Sequence, residues 1–341
     1  MRLRAVTLTF ALALAGVGLF HRLGLPLPFL FGPLAACLLA ALAGVRLEGV
    51  KPASDGARAV LGLAVGASVT PALVGQLPIM AVTLALIPAY VAVIGLIGVP
   101  FFHRLCGFDR VTSYYAAMPG GFQDMVYFGQ QAGGDVRALA LIHATRVVMI
   151  VTLVPVLLVG AGGLELDAPM GAPATALPFE QIALMLVVGL VGWKGGARLG
   201  LFGPAILGPL ILAAALSLAG VLQHRPPAEA IMAAQFFIGM GLGLNYRGVT
   251  LAEIRRDVAA GAAFALILAA LAGVFTLLAR SLGGAPWLEA FLSFAPGGQA
   301  EMAVLALVAG ADLGFVVAHH LARIVLVITG APLAARWALR R

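Results

Sequence analysis

Charge is what this sequence of 341 residues has least of: Asp, Glu, Lys and Arg make up 10% of it, where a soluble domain carries about a quarter. Hydrophobic residues fill 62% of the chain. No polar stretch is long enough to fold as a sizeable soluble domain, because apolar runs of about 20 residues succeed one another from Val6 to Leu333. A cytosolic enzyme and a nucleic-acid binder are excluded, and the lipid bilayer is the first partner implied. The net charge of +7 is no basic patch, since the cations are dispersed among short loops between apolar runs. Cysteine is nearly absent: Cys37 and Cys106 offer neither a disulfide framework nor metal-ligand spacing. The six histidines form no HExxH or HxxxH pair, and no GxxxxGK[ST] loop is present. No metal, no cofactor, no enzymatic activity and no ATP-driven step by this chain alone are expected.

What the chain has in quantity is repetition. Displaced by 176 to 177 residues, the second half matches the first: Pro28 to Leu34 falls on Pro204 to Leu210, Gly62 and Gly66 on Gly239 and Gly243, and Pro119-Gly120-Gly121 on Pro296-Gly297-Gly298. Beyond that triplet the match becomes chemical. Asp124-Met125 pairs with Glu301-Met302, Asp135 with Asp312, His143 with His320 and Arg146 with Arg323. The chain reads as two membrane repeats, 1–160 and 179–341, joined by a linker at 161–178. The N-terminal run imitates a signal peptide, but it belongs to the repeated unit, which favours a retained span.

Each half offers five long apolar segments, at 5–20, 28–44, 57–75, 78–101 and 136–161, then 180–196, 203–222, 229–246, 257–280 and 313–335. Between the fourth and fifth of each half lies a segment split by Pro-Gly-Gly, where proline removes a donor and two glycines permit a reversal. It is either a broken spanning helix or a re-entrant hairpin. With hairpins and a cytoplasmic N-terminus, sixteen of the 21 basic residues face the cytoplasm and only Arg22, Arg225 and Arg280 face outward, which favours hairpins. Both termini then lie inside, and the linker, with Glu165 and Asp167 but no Lys or Arg, lies outside. Five spans per half would invert the second repeat relative to the first. The predicted fold class is an all-α integral membrane protein with an inverted repeat, a transporter architecture.

The candidate site follows from this geometry. The half-helix after each Pro-Gly-Gly opens with free N–H groups, and its tip and first turn carry Gly120, Gly121, Gln123 and Asp124 in one half and Gly297, Gly298, Gln299 and Glu301 in the other. Asp124 and Glu301 either cap their own helices or serve as proton or cation sites. His143 shares a helix face with Arg146, and His320 with Arg323, three residues apart. An arginine about ten residues into a spanning helix needs a carboxylate, a backbone carbonyl or an anionic substrate. Asp135 and Asp312 are placed to cap the helices that follow them, and the four repeated glycines at 62, 66, 239 and 243 to let helices approach.

The run MPGGFQDM, followed by AGGD and IHATRVV and echoed as APGGQAEM, AGAD and AHHLARIV, resembles the membrane AbrB family, as distinct from the soluble regulator of that name. The resemblance covers essentially the whole chain. It implies one of the labels that family carries, which are ammonia monooxygenase, transporter and regulator of gene expression. The first of these conflicts with the missing metal ligands. The architecture is also similar to that of glutamate:sodium and citrate-type secondary carriers, which names no substrate. The expectation is a bacterial inner-membrane secondary transporter of a small anionic or zwitterionic solute, coupled to protons or sodium. The alternative is a membrane-embedded regulator acting through a partner. The sequence leaves a homodimer open.

Overall fold

The computed structural model describes residues 2–160, 163–166, 168–201 and 203–338, without the side chains of residues 72, 76, 79, 123 and 337. Asp167, Arg340, Arg341 and the side chain of Gln123 therefore lie outside the described residues. Helices in chain order are α1 (Arg2–Arg22), α2 (Pro28–Leu42), α3 (Lys51–Gly66), α4 (Pro71–Pro100), α5 (Arg110–Ala117), α6 (Phe122–Gln131) and α7 (Val136–Gly160). They continue as α8 (Phe179–Arg198), α9 (Pro204–Leu218), α10 (Ala228–Leu244), α11 (Leu251–Gly283), α12 (Trp287–Phe294), α13 (Gln299–Val308) and α14 (Leu313–Ala338). No strand occurs among the described residues. Six stretches, belonging to α1, α4, α7, α8, α11 and α14, are long and apolar enough to cross a bilayer. This is an all-helical, multi-pass membrane protein. Each of the ten expected segments contains a helix, but 57–75 runs through the break at 67–70 between α3 and α4, residue 161 lies outside the described residues, and α2, α3, α9 and α10 have only 15, 16, 15 and 17 residues. At 1.5 Å per residue such helices rise roughly 22 to 26 Å, short of the full hydrocarbon thickness.

The chain divides into two compact units, and each sequence half contributes to both. One comprises Met1–Gly75, Pro155–Val249 and Ala303–Gly314. In it α2 packs on α1 and α10, and α9 on α8 and α3. Glycine makes these contacts backbone to backbone: a Cβ on Gly16 would strike Gly32, one on Gly192 would strike Pro209, one on Gly62 the carbonyl of Ile206, and one on Gly239 that of Leu30. Gly66 and Gly243 likewise press on Leu210 and Cys37, so the four repeated glycines are packing residues. Lipid gives helices no hydrophobic reason to associate, so close van der Waals contact is the available driving force.

The other unit comprises Gln76–Val154, Thr250–Met302 and Phe315–Arg341. Arg137 Nε donates to Glu253 at 2.7 Å, and Gly261 lies against Ile142 and Thr145, so α7 and α11 run side by side in one direction. α4 runs oppositely along α11, with Thr83 at Gly283 and Gly98 at Phe264. Asp109 caps α5 by accepting from Thr112 N, and Asp135 caps α7 by accepting from Arg137 N and Ala138 N, each at 3.0 Å.

Candidate functional site

Both Pro-Gly-Gly segments are hairpins. His143 Nε2 donates to the Tyr115 carbonyl at 3.1 Å, while Arg146, three residues on, donates through Nη1 to Met118 at 3.1 Å and through Nη2 to Gly120 at 2.8 Å. A step of three along α7 matches a step of three along the first arm, so α5 and α7 are parallel. The chain between them must therefore turn back through α6. Thr112 Oγ1 closes the base by accepting from Asp135 N at 2.8 Å. An equivalent set joins α14 to α12: His320 Nε2 donates to Leu292 at 2.9 Å and Arg323 Nη1 to Ala295 at 3.2 Å. Hence α13 reverses the chain in the same way.

The bases of the two hairpins lie at opposite ends of α11. The first is tied to its start through Arg137 and Glu253, whereas α12 begins at Trp287, just past its end at Gly283. Those ends are separated by 33 residues, roughly 50 Å of helix. Arg146 and Arg323 come within electrostatic reach of each other and of Tyr90, whose hydroxyl donates to Phe294 O at 2.6 Å. Both arginine layers thus belong to the same unit.

The short first arms explain why His and Arg stand where they do. A helix of eight residues leaves its last carbonyls without intrahelical donors, and a cation at that end also meets the negative pole of the helix dipole. His143 and Arg146 supply those donors to the end of α5 and the turn beyond it, and His320 and Arg323 do so for α12.

The glycines act differently from the sequence expectation. Gly120, Gly121, Gly297 and Gly298 are not among the residues with positive φ, and the turn passes through extended backbone such as Met118 (φ −66, ψ 130) and Gly121 (φ −61, ψ 144). Flexible side chains fold over them instead. A Cβ on Gly120 would strike Met125 and one on Gly121 the Asp124 carboxylate, while Gly297 and Gly298 are covered in the same way by Met302 and Glu301. Both carboxylates therefore fold back, from the third position of their helices, over the residue that caps the helix. That is the placement in which an acidic side chain serves a free N-terminus.

Six buried side-chain atoms of this unit have no hydrogen-bond partner among the described residues: His143 Nδ1, Arg146 Nε, Asp257 Oδ1, Ser293 Oγ, Gln299 Nε2 and Arg323 Nε. All but the Asp257 oxygen belong to the hairpins or to the helices that hold them. Arg146 and Arg323 are 3% and 4% exposed, and none of the ion pairs among the described residues includes either. Asp257 escaped the sequence reading because its approximate repeat partner is Met80, so no symmetry signalled it. The same residues contain no group of three His, Cys, Asp or Glu that could hold a metal ion.

A family model described as transition state regulatory protein AbrB matches residues 29–339. The chain belongs to the AbrB family. The AbrB-family chain is also 25% identical over 332 residues to the protein named "Putative regulator AbrB" of Escherichia coli (strain K12), covering 93% of this chain and 92% of that one. It is 25% identical over 274 residues to "Uncharacterized protein YhjN" of Bacillus subtilis (strain 168), covering 76% and 69% respectively. No solved structure matches this AbrB-family chain.

Proposed function

We propose that this chain is a secondary transporter of a small anionic or zwitterionic solute, working by alternating access in the bacterial cytoplasmic (inner) membrane with both termini in the cytoplasm. The observation that carries the reading is a pair of buried guanidiniums without a carboxylate counter-ion. Buried positive charge is expensive unless something compensates it. Here carbonyl dipoles do so in part, and each guanidinium keeps an Nε–H in reserve. An anion entering between the hairpins supplies the missing charge and acceptors, with Gln299 Nε2 and Ser293 Oγ as further partners. Hairpins that begin at opposite ends of α11 give the site an approach from each side, which is what alternating access requires. The Asp124 and Glu301 carboxylates lie over Gly121 and Gly298 at the starts of the half-helices, and a gradient of protons or sodium drives the cycle.

Reconstituted protein should take up one or more labelled amino or organic acids in proteoliposomes, faster under an imposed ion gradient. Well-folded protein that neither binds nor moves any member of such a panel would remove the proposal. A second reading, regulation of gene expression through a partner, is favoured only by the printed name of the Escherichia coli relative. Capture of a defined soluble partner whose release changes transcription would favour it.

A further inference from the structure

Resting on the transporter reading, we infer that the coupling ion is a proton and that Asp257 carries it. Asp257 lies in a π-helical stretch, Ile254–Val258, near the start of α11. π-helical turns inside long helices occur frequently at functional sites. The residue is 5% exposed, and its Oδ1 is a buried carboxylate oxygen without a hydrogen-bond partner among the described residues.

The charged groups within electrostatic reach are Asp135 and Arg137 of α7 and Glu253 and Arg256 of α11. Three of these four are occupied elsewhere. Arg137 and Glu253 pair at 2.7 Å, and Glu253 also accepts from Thr250 N. Asp135 caps α7 through Oδ1. The fourth, Arg256, lies over the Phe108 ring with its guanidinium 4.3 Å from the centroid. Asp135, Arg137 and Arg256 are exposed and screened by solvent, whereas Asp257 is buried and takes part in no ion pair among the described residues, so its negative charge is costly where it stands.

One proton on Asp257 removes that cost: the carboxylate becomes a neutral acid. The acidic residues do not converge as a metal site among the described residues. Arg137 and Glu253, both partly exposed, give the proton a polar way in. The location suits coupling, because the same patch anchors the base of the first hairpin: Asp135 binds Thr112 through its backbone, and Phe108 under Arg256 leads into α5. Protonation at Asp257 thus changes the charge beside the element that carries Arg146.

The test has two arms. Infrared difference spectra of the purified protein between acidic and neutral pH should show a protonated-carboxyl band that Asp257→Asn removes, that Asp257→Glu retains at a shifted position, and that Asp124→Asn leaves in place. In proteoliposomes Asp257→Asn should abolish accumulation driven by a proton gradient while exchange of labelled for unlabelled solute continues at the wild-type rate. Because Asn is isosteric and removes a buried charge, its melting temperature should not fall. A band that persists unchanged in Asp257→Asn, or undiminished proton-driven accumulation, overturns the assignment. If no solute is transported by the wild type, the transporter reading fails, and the infrared arm still decides whether Asp257 holds the proton.

Discussion

Replacing Arg146 and Arg323 separately by Lys should destabilise the protein unequally, with Arg146→Lys the more costly. The two side chains stand at corresponding points of their helices, but Arg146 spreads its fork over two carbonyls, Met118 O and Gly120 O, whereas Arg323 makes its hydrogen bond to Ala295 O through Nη1. Lysine keeps the charge as a compact ammonium and can follow one carbonyl, not two held in a planar fork. Arg146→Lys therefore loses one hydrogen bond from a charged donor and leaves a buried carbonyl of the hairpin turn unpaired, about 1.5 to 3 kcal/mol. Because both residues are almost fully buried, solvent screening does not reduce this figure. Arg323→Lys can keep its single bond and should cost about 1 kcal/mol less at the least. Thermal unfolding of the two variants in the same detergent reads the difference, and substrate affinity measured alongside separates it from a binding effect. If the Arg nitrogens also bind the anion, affinity should fall by about one to two decades in each variant. Equal melting temperatures for the two variants, or a greater loss in Arg323→Lys, would refute the fork argument.

Other outcomes follow from the same structure. Gly62→Ala should lower stability by about 1 to 3 kcal/mol, since its Cβ meets the rigid carbonyl of Ile206, whereas Gly75→Ala, with nothing within 4 Å, should be neutral or raise it by about 0.5 to 1 kcal/mol; melting curves compare the two directly. Single cysteines at Glu253 and at Ala174 should react with impermeant reagents from opposite faces of oriented vesicles, the first from the cytoplasm, and labelling of both from one face would contradict the proposed orientation. Asp135→Ala removes the acceptor for Arg137 N and Ala138 N and should cost about 0.5 to 2 kcal/mol, visible as earlier hydrogen exchange at the start of α7.

The membrane class, the helical segments and the residues of the hairpin layer were legible in the sequence because each depends on local composition or on a displacement of 176 to 177 residues. Apolar length dictates a helix in lipid, since backbone donors and acceptors there must be satisfied within the segment. Asp135 as a cap and the packing role of Gly62, Gly66, Gly239 and Gly243 were equally readable, for a cap and a close approach are set by residue type and position. The partners of Arg146 and Arg323 were not. The sequence left a carboxylate, a backbone carbonyl and an anionic substrate all open for them, and only the fold shows that the carbonyls at the end of a neighbouring short helix take their hydrogen bonds.

The structure also showed that the Pro-Gly-Gly turns do not use positive φ: the backbone is extended there, and Met125, Asp124, Met302 and Glu301 fold over the glycines. It divided the chain into units that cut across both sequence halves. It exposed Asp257 as a carboxylate whose neighbours are already engaged. The arginine partnerships and the ion pair beside Asp257 join groups 26 to 116 positions apart in the chain, and hydrogen bonds and charge act over a few ångströms of space. Periodicity along the sequence carries no record of those distances, so helix identity was determined locally and the partnership of every buried charge by the tertiary structure alone.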